Sequence, residues 1–219
     1  MTAWMRAACL LGLAATLPGC ATAAMNAALR AAHPEPAWDG KVTIASEPAG
    51  AACRVLRGDR VVAEVPATPG TVELTRSHAV LEVRCQADGH VETVDVLRPR
   101  DDPAVFRMAP NGIIGATATV ISLAGALTMR YPGEVTVALP PEAFASDAER
   151  ERWFAERRDR ILAVRATAIA LAEDRCRTVT EGSCDPNLMV MRQEQEDDLR
   201  RLDALRQRAG LATQMAEAR

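Results

Sequence analysis

The hydrophobic period of this chain changes once. Between residues 41 and 139 apolar side chains alternate with polar ones in short runs. From Ser146 they recur every three to four residues. Successive side chains leave a strand on opposite faces, whereas a helix returns to the same face after 3.6 residues. A chain ordered this way segregates strands from helices. The expected fold class is α+β: a small antiparallel β-sandwich or barrel-like domain over 41–139, then a C-terminal helical hairpin over 146–210.

Within the β region, "KVTIAS" alternates and "EPAGAA" supplies a turn. "CRVLRGDRVVAEV" reads as two strands about a Gly58-Asp59 turn. "TPGTVELTR" restarts a strand after Pro69. In "AVLEVRCQADGHVETVDVL" Leu81, Val83 and Cys85 share one face. A turn at Asp88-Gly89 leads to Val91, Thr93, Val94 and Val96 with a change of register, and "EVTVAL" makes a final strand.

In the helical part, "SDAE" is a capping box. Ser146 is placed to accept from the amide three residues on, and Glu149 to reach back. The first helix carries Trp153, Phe154, Ile161, Leu162, Ile169 and Leu171 to about Cys176. "CRTVTEGSC" connects it to a second helix with Asp185 as N-cap and Pro186 at the first position. Gly210 is the expected stop. Set on a heptad, Leu188, Gln195 and Leu202 share one seam position, and Met191, Asp198 and Leu205 the other. The middle heptad is therefore polar at both.

The N-terminus reads as a signal peptide over residues 1–19: Arg6, then the 11-residue apolar run "AACLLGLAATL". Such a run is too short to span a bilayer. With the "LPGC" that follows, the chain resembles a bacterial lipoprotein precursor. The resemblance puts Leu17 at −3 and Gly19 at −1, and makes Cys20 the lipidated first residue of the mature protein. Pro18 departs from the small residue usual at −2, and cleavage near "ATAA" to a soluble periplasmic protein is the alternative. Ala21 in place of an inner-membrane-retaining Asp implies an outer-membrane address facing the periplasm. Residues 20–40, Ala-rich and then Pro-bearing, read as an exposed tether.

Cysteine arithmetic agrees with that address. Of six cysteines, Cys9 leaves with the signal peptide and Cys20 is taken by lipid. The remaining four fall into two neighbourhoods, which predicts disulfides Cys53–Cys85 and Cys176–Cys184. Neither pair has the C-x-x-C spacing of a redox site.

The stretches "SEPAGAACRV", "TPGTVELTRS" and "LEVRCQADGH" resemble the PEGA-type β-domain of bacterial envelope proteins. The matching residues are Ser46, Pro48, Gly50, Ala51, Thr68, Pro69 and Gly89. His90 stands where that family most often has Tyr. The resemblance implies a small β-domain, a Gly-rich apolar insertion over 111–130 and a last strand starting near Tyr131-Pro132. Residues 112–129 are 18 in number and uncharged, at the lower edge of a membrane span. A helix or hairpin packed on the sheet accounts for them, and so does membrane insertion.

The net charge of −3 argues against nucleic-acid binding. His33, His78 and His90 are not spaced as metal ligands, so neither a metal nor a cofactor is expected. There is no G-x-S-x-G and no phosphate loop. The pair Asp101-Asp102 reads as part of a Pro-flanked turn, and Asp197-Asp198 as a helix surface paired with arginines at i to i+4. The expectation is a non-catalytic, lipid-anchored envelope protein with no catalytic residues, acting as an adaptor or structural binding module. Its partners are the membrane, through the lipid, and an envelope protein or cell-wall or surface polymer. A membrane-inserting or assembly-forming protein using 112–129 is the alternative.

Overall fold

The computed structural model describes residues 38–102, 120, 125–178 and 184–211. The signal peptide (1–19), Cys20, most of the tether, most of the apolar insertion and the connector at 179–183 lie outside the described residues.

The fold is α+β, with several antiparallel sheets followed by two helices. Strands β1 (Lys41–Glu47), β4 (Gly70–Glu73) and β9 (Glu134–Ala138) form a three-stranded sheet in the order β4-β1-β9. The alternation read from "KVTIAS" is realised: Val42, Ile44 and Ser46 are buried, and their neighbours are not. A second sheet takes the order β3-β2-β5-β6, from β2 (Ala52–Arg57), β3 (Arg60–Val65), β5 (Leu81–Gln86) and β6 (Thr93–Leu97). A register shift between Val55 and Leu56 explains why both are buried in succession. Gly70 can only be glycine, because a Cβ there would lie 2.5 Å from the Val65 side chain.

The expected change of register at β6 does not occur. Val91, Thr93 and Leu97 are buried on one alternation, with Asp95 as its fourth member. Thr93 is accommodated because its hydroxyl donates to the Val91 carbonyl at 3.0 Å.

Two short ladders lay outside the expectation. Strands β7 (Arg100–Asp101) and β8 (Met129–Arg130) pair antiparallel, with Arg100 opposite Arg130. The insertion therefore ends in a strand, and Asp101 belongs to a ladder and not to a turn. Strands β10 (Ala143–Phe144) and β11 (Gly210–Leu211) pair in parallel. No closed barrel occurs among the described residues.

Helix α1 runs Asp147–Thr178 and α2 runs Asp185–Arg208. The capping box forms with one shift: Ser146 Oγ accepts from the Glu149 amide, while Glu149 accepts from the amide of Ala145. The N-cap of α2 is Cys184 and not Asp185, and its carbonyl accepts from the Asn187 and Leu188 amides. Gly210 does follow the C-cap directly, where a stop was expected, but it is not in the left-handed conformation of a glycine cap. The helix ends in extended Ala209, and the Gly210 amide donates to the Glu142 carbonyl at 2.8 Å, which starts the β11 pairing.

The described residues fall into two compact units. One holds the described residues of 38–45, 53–83 and 95–136, and the other those of 46–52, 84–94 and 137–211. In the second unit Val91, Phe144, Phe154, Leu202, Leu205 and Ala209 form an apolar core, against which Trp153, Ile161 and Leu211 pack.

Candidate functional site

The first unit concentrates its polar chemistry around β7 and β8. Arg100 and Arg130 are cross-strand partners, so their side chains leave the same face. Asp102 continues that face, its amide bonded to the Thr128 carbonyl at 2.8 Å. Its carboxylate is 0% exposed, with Oδ2 at 2.6 Å from the Arg76 guanidinium and Oδ1 at 4.0 Å from that of Arg130. A buried carboxylate requires such partners, since an unpaired charge in this position is costly.

Arg76 is locked in place. It donates to the carbonyls of Met129 at 2.8 Å and Trp38 at 3.4 Å, and its guanidinium lies 5.5 Å from the centre of the Trp38 ring. Trp38 meets Tyr131 edge-on at 6.0 Å, and the Tyr131 hydroxyl donates to the Ala79 carbonyl at 2.6 Å. Arg76 and Asp102 thus brace the strand pair, while Arg100 is exposed. Among the described residues Arg100 has no carboxylate partner. Sequence reasoning missed this cluster. Its members come from four separate segments, and Asp102 carries no local sign that it is buried.

The second unit has its own charged centre. Arg165 of α1 is only 8% exposed, and it donates to Glu194 at 2.6 Å and to Asp198 at 2.8 Å on α2. Burial alone would pull its pKa down. The hydrogen bonds and charges of Asp198 and Glu194 outweigh that and hold it above its ordinary value. Asp198 also pairs with Arg201, and Asp197 with Arg200, both one turn on. Asp198 is therefore more than a surface partner at i to i+4: the polar middle heptad supplies the counter-charges of a buried arginine.

Toward the β10 end of the hairpin lies a groove of about 530 Å³ lined by Arg150, Arg158, Asp203, Arg206 and Gln207. Its three arginines are balanced by Asp147, Asp203 and Glu151. That balance suits a clamp between helices better than a site for anions. Arg157 stacks 5.1 Å from the Trp153 ring centre and pairs with Glu47. The hydrogen bond from Arg157 holds the Glu47 carboxyl below its ordinary value of 4.5.

Of the residues singled out from sequence, Cys53 on β2 and Cys85 on β5 are buried and disulfide-bonded. Cys176 and Cys184 form the second disulfide, with Cα atoms 5.8 Å apart. Cys20 and His33 lie outside the described residues. His90 sits in a turn with Nδ1 2.8 Å from the Asp88 carbonyl. No group of three or more potential metal ligands occurs among the described residues, and no described helix is long and apolar enough to cross a membrane. No protein-family model, curated protein or solved structure matches the chain.

Proposed function

We propose that this chain is a non-catalytic lipoprotein of the bacterial envelope, anchored at the outer membrane through Cys20 and facing the periplasm. Its β region is a PEGA-like sandwich, and the protein acts as an adaptor or structural module that binds an envelope protein or a cell-wall or surface polymer. The observation that carries this reading is the pair of disulfides. Such bonds persist in an oxidising compartment, and they engage cysteines of both the strand and the helix regions. Cys20 is then the one mature cysteine left over, and it follows "LPG". The non-catalytic part draws support from how the charged groups are used. Asp102, Asp198, Glu194 and Glu47 each face an arginine that joins separate segments of the fold.

Mass spectrometry of the mature N-terminus tests the anchor. The expected result is a diacylglyceryl thioether on Cys20, and a free N-terminus near residues 21–24 would replace the anchor with a soluble periplasmic protein. Crosslinking in intact cells is expected to capture an envelope partner, and recovering none would count against the adaptor role. The alternative, insertion of residues 112–129, is separated by alkaline carbonate extraction of the Cys20→Ser protein. An adaptor washes off, and an inserted protein stays.

A further inference from the structure

The outer face of α1 has no role in that reading. From Ile161 to Ala172, about three turns, the only charged residue is Arg165, and it is buried against α2. On the opposite side of the helix lie Ala163, Val164, Thr167, Ala170 and Leu171, at spacings of three and four. All five are exposed, Val164 by 65% and Leu171 by 52%. A surface helix ordinarily turns its apolar side inward and its charges outward. These turns are inverted, with the charge inside and the aliphatic side chains outside. The one polar member is already satisfied, since the Thr167 hydroxyl donates to the Ala163 carbonyl at 2.9 Å. Covering the face would strand no donor there.

We propose that this face pairs with the same face of a second copy of the chain, the two α1 helices running antiparallel about a two-fold axis at Thr167. The ends of the face identify the occupant. Arg160 lies seven residues before Thr167 and Asp174 seven after it, so both share its side of the helix. Each is exposed and loosely engaged. Arg160 lies 3.7 Å from the Glu47 carboxylate, which Arg157 already holds, and Asp174 pairs with Arg177 at 3.2 Å where both are open to solvent. A two-fold axis at Thr167 brings Arg160 of each copy to Asp174 of the other. Parallel pairing would instead set Arg160 on Arg160 and Asp174 on Asp174. The same axis places Val164 opposite Ala170 and Leu171 opposite Ala163, so large side chains meet small ones and the helices can approach closely. The inference goes beyond the envelope reading and does not depend on the anchor.

The test is sedimentation equilibrium of the chain from residue 20 with Cys20→Ser. A reversible monomer–dimer equilibrium in the micromolar range is expected, as suits a small interface. Leu171→Arg should leave the protein monomeric at concentrations where the parent is a dimer, with the thermal midpoint of the dilute chain unchanged. Arg160→Asp and Asp174→Arg should each weaken association about tenfold, and the two together should restore it. Such restoration cannot arise within one chain, because the two sites are roughly 21 Å apart along the helix. A parent that stays monomeric, a dimer indifferent to Leu171→Arg, or a double reversal no better than the single ones would overturn the proposal. In the first case, protection of Val164 and Leu171 from hydroxyl-radical labelling would put another segment of the same chain on the face. In the second, assembly would pass to residues 112–129.

Discussion

Asp102 shows how much one side chain can depend on distant segments. It is fully buried between Arg76 and Arg130, so Asp102→Ala leaves the locked Arg76 guanidinium without its counter-charge. The expected cost is about 3 kcal/mol by urea titration, and a loss below about 1 kcal/mol would mean that the carboxylate is not a structural charge. Glu47 belongs to the same scale and gives a pH dependence. Its pKa in the fold is depressed by the hydrogen bond from Arg157, so its contribution is present above its ordinary value of 4.5. The contribution is lost as pH falls through the lower, folded value. Thermal midpoints measured between about pH 5 and pH 3 should therefore fall less steeply in Glu47→Gln than in the parent protein.

Among elements, the helical hairpin is built unevenly. Its β10 end has an apolar core with Phe144, Trp153 and Phe154 in mutual ring contact. Beyond Ile161 the buried residue of α1 is Arg165, and Val164, Leu171, Met189 and Val190 are exposed. The far end thus relies on charge pairs and the Cys176–Cys184 disulfide. With a sequence separation of 8, that loop contributes roughly 2.5 kcal/mol in the chain-entropy account. Cys176→Ser with Cys184→Ser should speed amide exchange in the last turns of α1 and the first turns of α2, leaving the Phe144 core protected. Uniform loss of protection would contradict the uneven construction. Arg165→Ala, which removes the buried cation that Glu194 and Asp198 share, is expected to cost about 3 kcal/mol. Arg165→Leu with Asp198→Leu should recover part of that. The seam itself was legible from Leu202 and Leu205. The polar heptad between was not, because its partner lies 33 residues away on α1.

For the whole molecule, oxidation should be decisive. Two disulfides at roughly 2–4 kcal/mol each are a large part of a typical 5–15 kcal/mol stability. Reductant is therefore expected to lower the thermal midpoint by more than about 10 °C, and an unchanged midpoint would mean that the disulfides carry little of the stability. Local periodicity determined that strands precede helices, where Leu81, Val83 and Cys85 turn inward, and where α1 is capped, because each depends on neighbours within a few residues. Tertiary structure alone decided that Arg100 faces Arg130, that Asp102 is buried between Arg76 and Arg130, that Arg165 sits between two carboxylates and that the chain past Ala209 returns to β10. Each of these depends on which distant segments meet. Charge and hydropathy along the chain do not encode that meeting, because the energy of a polar side chain depends on what surrounds it once the chain has folded.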